Sequence, residues 1–99
     1  MVVKSVVLHP AALAESKAAV AWYLERSQIA ASGFAASLAE ALDRIVESPR
    51  RWPTAELGTR RFVMQRYPFA IMYREQRKAL QILAVAHGHR RPGYWKNRV

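Results

Sequence analysis

Apolar positions along this chain change period twice, from strand to helix and back to strand. Val2-Val3-Lys4-Ser5-Val6-Val7-Leu8 is rich in β-branched side chains and reads as a strand. His9-Pro10 ends it, and Pro10 suits the first position of a helix, where a missing N–H leaves no bond unmade. From Ala11 to about Ile29, Leu13, Val20, Tyr23 and Leu24 recur at helical spacing with Trp22 beside them. Ser32-Gly33 marks the expected break between two helices. Phe34, Leu38, Leu42, Ile45 and Val46 then form one apolar stripe, with Glu40 and Arg44 paired at i,i+4 on the opposite side. Ser48-Pro49 stops this second helix, which predicts an antiparallel helical hairpin.

Arg50 to Gly58 reads as a loop punctuated by Pro53 and Gly58. Three strand-like runs follow: Thr59 to Arg66, Phe69 to Arg74 and Ala79 to Ala86. Tyr67-Pro68 separates the first two, and Glu75-Gln76-Arg77-Lys78 makes a short hairpin connection. The third run is almost wholly apolar, as expected of a strand central in its sheet or covered on both faces. The predicted order is therefore β-α-α-β-β-β in one α+β domain over residues 1–99, followed by a tail. There is no internal repeat or linker.

Composition narrows the class. Of the 99 residues, 52% are apolar and none is cysteine, so neither disulfides nor thiolate–metal sites support the fold. No apolar run reaches membrane-spanning length and the N-terminus lacks a signal-peptide pattern, so the cytoplasm is the expected location and no membrane partner is expected. Residues 1–49 hold four basic and five acidic side chains, a net of −1, whereas residues 50–99 hold twelve basic side chains against Glu56 and Glu75, a net of +10. The first half reads as scaffold and the second as a surface facing something acidic, either nucleic acid or an acidic protein segment.

The tail concentrates the chemistry. His87-Gly88-His89-Arg90-Arg91-Pro92-Gly93-Tyr94-Trp95 follows the apolar strand and brings imidazole, guanidinium, phenol and indole together. Guanidinium forks hold phosphates, imidazole moves protons near neutral pH, and aromatic faces stack on bases. His87 could act as general acid or base, or merely hydrogen-bond the tail at a strand end. His87 and His89 have the spacing of a metal pair, but no third ligand is evident and cations surround them, so no metal or cofactor is expected. Arg60 and Arg66 should share one strand face and hold phosphate, while Arg61 points to the other, solvated face. Trp95 should cap the core edge; Trp22, Tyr23 and Phe34 belong to the core, and Trp52 touches either core or a partner.

With these residues in order, the chain resembles the RelE/ParE superfamily, the toxin halves of bacterial type II toxin–antitoxin pairs found in plasmid-stabilisation systems. The resemblance spans nearly the whole chain. It rests on Tyr23, the Phe34 to Pro49 helix, Arg60-Arg61-Phe62 with Arg66 to Tyr73, and Ile82 to His87 followed by Arg90, Arg91, Pro92, Gly93, Tyr94 and Trp95. It implies a small antiparallel sheet with the helical hairpin on one side, and an acidic antitoxin that masks the toxic surface in a toxin–antitoxin hetero-oligomer. It also implies one of two targets: ribosome-bound messenger RNA, cut by a metal-independent mRNA interferase, or DNA gyrase, which is inhibited. By that resemblance His87, Arg90 and Tyr94 form the catalytic set, and Arg60, Arg66, Arg91 and Arg98 hold phosphate or the target. The lysines that ribosome-dependent cutters place on the middle strand are absent here, and arginine is a poor substitute as proton acceptor. A nucleic-acid-binding module, or a homologue without catalysis, is the alternative class.

Overall fold

A computed structural model describes residues 5–99. Residues 2–4 of the expected first strand lie outside that range. Strand β1 is Ser5–Leu8, helix α1 Pro10–Leu24, helix α2 Gln28–Glu47, and strands β2, β3 and β4 are Arg60–Val63, Phe69–Glu75 and Ala79–His87. Short 3-10 turns cover Glu56–Gly58 and Lys96–Arg98. The fold is α+β, with the four strands ordered β1-β4-β3-β2. The last three strands are antiparallel, as expected, but β1 joins β4 in parallel, so the sheet is mixed. A run of β-branched residues encodes extension but not direction, which explains that difference.

Each helix begins on a side-chain cap. His9 Nδ1 accepts the Ala11 N–H at 3.0 Å, and Pro10 occupies the first turn. Ser27 Oγ accepts the Ala30 N–H at 3.3 Å, so the helical break falls at Glu25–Ser27 and not at Ser32-Gly33. Gly33 lies inside α2, where a Cβ would come within 2.8 Å of the Tyr67 hydroxyl. Close approach, not helix termination, calls for glycine there.

Helix α2 follows its large-residue stripe: Phe34 and Ile45 are fully buried, and Leu38, Leu42 and Val46 pack against the same core. Helix α1 does not. Its buried positions are Ala12, Ser16 and Ala19, whereas Leu13, Trp22 and Leu24 are exposed. Small side chains let α1 lie close on β4; Val20 and Tyr23 pack at the edge of the core, whereas Leu13 and Leu24 mark the wrong face. Tyr23, Phe34, Tyr67 and Phe69 form an aromatic cluster with ring centroids 5.2–5.4 Å apart. Trp22 instead leaves half its surface to solvent, with the Arg26 guanidinium 3.3 Å from its ring centre. Arg44 does not sit as the outward half of a Glu40 pair; its guanidinium lies 5.3 Å from the Trp52 ring centre. Trp52 itself packs edge-on against Phe62 at 4.5 Å, which places it at the core.

Strand β4 is covered on both faces. Leu80, Ile82 and Val85 belong to the core beneath the helices, and Leu83 and Ala84 pack with Met72 and Trp95 beneath the tail. The register between β3 and β4 slips between Met72 and Tyr73, so Leu83 is an extra residue and both it and Ala84 turn to the tail face. Trp95 caps that second cluster, as its size suggested.

Candidate functional site

The site is built at the end of β4, where a strand runs past its neighbour. Strand β1 stops at Leu8, and the His9 N–H takes the Ile82 carbonyl at 2.8 Å. Beyond Ile82 that edge of β4 pairs with no strand among the described residues, and exposed ladder groups need other partners. Side chains supply them. Arg98 donates to the Leu83 carbonyl at 3.0 Å, and the Val85 N–H donates to Glu15 Oε1 at 3.0 Å.

Glu15, on α1, is the hub of this arrangement. Its Oε1 accepts from Arg98 Nη1 at 2.8 Å, and its Oε2 accepts from Arg98 Nη2 at 3.1 Å and from the Tyr94 hydroxyl at 2.6 Å. Two parallel guanidinium bonds to one carboxylate form the bidentate geometry that gives charge-assisted pairs their strength. Burial pushes the Glu15 carboxyl up, but the bonds from Arg98, Tyr94 and Val85 and the charge of Arg98 together hold it below its usual value. The Tyr94 phenol is pushed up to about 12, first by burial and then by the bond and charge of Glu15. Hydrogen bonding to Glu15 raises the Arg98 guanidinium against the opposing effect of burial. This clasp closes the tail onto α1 across 83 positions of sequence.

Two clefts flank the clasped tail. One, of about 520 Å³, opens over the outer sheet face between β2 and the tail, with Arg61, Arg90, Arg91, Tyr94 and Trp95 among its walls. The other, of about 480 Å³, lies between α1 and the tail and includes Glu15, Trp22 and Phe69. His87, Arg90 and Tyr94 line both and therefore form the ridge between them. The three residues expected at the centre of the site are thus brought together. The Arg90 guanidinium sits 4.0 Å from the Tyr94 ring centre, and the His87 ring meets Phe69 edge-on at 5.1 Å. His87 Nδ1 accepts the His89 backbone N–H at 3.0 Å. Among the described residues no group of three or more His, Cys, Asp or Glu side chains is placed to hold a metal ion.

The expected phosphate-holding arginines divide. Arg91 lines the outer cleft. Arg98 faces inward in the Glu15 clasp, so it is a tether and not a surface cation. Arg60 donates to the carbonyls of Arg50 at 3.1 Å and Trp52 at 2.8 Å, holding the loop that precedes β2. Strand β2 is the sheet edge and ends at Val63, so Arg66 lies beyond it and lines a separate groove against Arg44 of α2. Arg60 and Arg66 therefore do not share one strand face. Arg61, expected on an unoccupied solvated face, points into the outer cleft because that is the face the tail covers.

Glu15 is the residue that the sequence pattern did not single out, and Arg61 the one that it assigned to a merely solvated face. The available signal for Glu15 was a lone carboxylate one turn from Ala12 and Ala19, on the small-residue face of α1.

A family model described as the ParE toxin of the type II toxin–antitoxin system parDE matches residues 6–92. Among solved structures, the chain is similar to one described as the chromosomal ParDE toxin–antitoxin system from P. aeruginosa. The two are 20% identical with a TM-score of 0.74, over 86% of this chain and 96% of that one. At that identity the likeness shows the fold alone. No curated protein matches the chain. A match over residues 6–92, in a chain with these two helices and this four-stranded sheet, decides the family: the chain belongs to the ParE toxins of type II toxin–antitoxin systems.

Proposed function

We propose that this toxin arrests growth by binding DNA gyrase in the cytoplasm through the face built from its C-terminal tail, and that it does not cut messenger RNA. The observation that carries the reading is the 2.6 Å bond from the Tyr94 hydroxyl to Glu15. Cleavage by attack of a ribose hydroxyl needs one group to take a proton and another to return it. Tyr94 is occupied by a carboxylate and pushed up to about 12, and Arg98 is bound to the same carboxylate. Arginine stays protonated and accepts nothing. What remains on the ridge is Arg90 and one imidazole, His87, whose Nδ1 already accepts the His89 backbone N–H. A matched pair of proton-handling groups is therefore lacking there, and the surface is suited to holding a partner.

The antitoxin of such a pair would mask this surface. The −1 and +10 division of charge between the two halves of the chain supports an acidic antitoxin segment, and a toxin–antitoxin hetero-oligomer as the resting form.

The test is expression without antitoxin, followed by two assays on the same cells and on purified toxin. Supercoiling by gyrase should fall while messages on the ribosome stay whole, and His87→Gln should arrest growth as wild type does. Message cleavage with unimpaired supercoiling, abolished by His87→Gln, would overturn the proposal.

A further inference from the structure

The outer cleft carries positive charge that the protein leaves uncompensated. Four arginines elsewhere have partners: Arg98 on Glu15, Arg50 on Glu75, Arg74 on Gln81, and Arg60 on two carbonyls. Arg61, Arg90 and Arg91 line one cleft, and among the described residues none of them lies within 4.0 Å of a carboxylate oxygen in an ion pair. The carboxylate on that cleft wall, Glu56, is bound to Lys96 Nζ at 2.7 Å and offers these guanidiniums little. Like charges converging without a counterion cost free energy, and a ligand that brings negative charge relieves it.

The rest of the lining narrows that ligand. Tyr94, with the Arg90 guanidinium 4.0 Å from its ring centre, supplies aromatic surface, and Met72 and Val63 an apolar floor. Tyr67 and Phe69 reach the rim from the aromatic cluster on the helix side, and the cleft holds about 520 Å³. A cationic groove interleaved with aromatic rings is the arrangement that holds single-stranded nucleic acid, with phosphates on the cations and bases on the rings. An acidic polypeptide would meet the same charge, and stacking of bases on aromatic surface is what a nucleic acid adds.

We infer that this cleft binds a single strand of DNA, with phosphates held by Arg61 of β2 and by Arg90 and Arg91 of the tail. The inference rests on the gyrase reading for its choice of DNA. It adds that the toxin touches DNA as well as the enzyme that acts on it.

Antitoxin-free toxin titrated with a fluorescein-labelled dT12 oligonucleotide at several salt concentrations tests this. Three phosphate contacts on single-stranded DNA predict a slope of log affinity against log salt of about −2, at roughly −0.7 per phosphate. Arg61→Ala and Arg91→Ala should each make the slope shallower by about 0.7 with unchanged thermal stability. Lys17→Ala, an equal loss of charge on the exposed side of α1, should leave it unchanged. No binding, equal effects of all three substitutions, tighter binding of rU12 than of dT12, or displacement of dT12 by an oligoglutamate of equal charge would each overturn the inference. Supercoiling assays run in parallel separate the two readings. Wild-type inhibition of gyrase without oligonucleotide binding removes the DNA contact alone, whereas binding without inhibition supports the cleft and removes gyrase as the target.

Discussion

Glu15→Ala tests whether the tail is a docked element or a free basic arm. The substitution strips the partner from Arg98, from the Tyr94 hydroxyl and from the Val85 N–H in one step. Removing one member of a buried ion pair costs about 3–5 kcal/mol, chiefly because the other charge is stranded. Here the Glu15 and Arg98 side chains retain 16% and 13% of their exposure, so water can reach Arg98 and the lower end, about 3 kcal/mol, applies. For a domain of this size that is a fall in Tm of roughly 12–24 °C. Glu15→Gln keeps an acceptor for Val85 and should cost less, about 2 kcal/mol.

The pH dependence has a definite sign. The Glu15 carboxyl is held below its usual value in the folded protein, so its contribution is complete above the unfolded value of about 4.3 and is lost as pH falls through the lower folded value. The stability gap between wild type and Glu15→Gln should therefore be constant near neutrality and close in acid. Tyr94 provides a second readout, because its phenol, pushed up to about 12, should move back towards the ordinary 10 in Glu15→Gln. Circular dichroism melts from pH 2 to 8 and tyrosinate absorbance in alkali measure both. A Glu15→Ala protein as stable as wild type, or a gap that does not change with pH, would refute the clasp.

Three further outcomes follow from individual side chains. Arg60→Ala should destabilise the domain by about 1–3 kcal/mol in denaturant melts through its two lost carbonyl bonds, yet leave growth arrest at matched folded protein unchanged; loss of toxicity in a stable variant would restore it to the target surface. Gly33→Ala should destabilise the wild type because its Cβ meets the Tyr67 hydroxyl at 2.8 Å, but in a Tyr67→Phe background the same change should stabilise by up to about 1 kcal/mol through helix propensity; the same sign in both backgrounds would exclude the close approach as the reason for glycine. Arg90→Ala should reduce growth arrest while Tyr94→Phe, which keeps the ring beneath the guanidinium, largely preserves it; full activity of Arg90→Ala would remove the ridge from the toxic surface.

The sequence was most legible where large apolar side chains mark the buried face. The α2 stripe of Phe34, Leu38, Leu42 and Ile45 was such a case, and the nearly all-apolar β4 correctly announced a central strand. It was least legible where the buried face is small. Ala12, Ser16 and Ala19 give α1 no contrast, so Leu13 and Leu24 drew the eye although they face solvent. The slip at Leu83 was equally hidden, because in a strand apolar at almost every position a change of face leaves no mark in the pattern.

The site divides along the same line. His87, Arg90 and Tyr94 are close in sequence, so a strand end followed by a turn was enough to gather them. Glu15 is not, and its role depends on two events that no local pattern records: β1 ending at Leu8, opposite Ile82 of β4, and the tail returning to cover the bare edge. Strand parity separated Arg60 from Arg61 correctly but could not say which of the two faced the cleft. That choice belongs to Trp95. Its burial against Met72, Leu83 and Ala84 commits the tail to the sheet face opposite the helices, and so turns Arg61 from a solvated cation into a wall of the cleft.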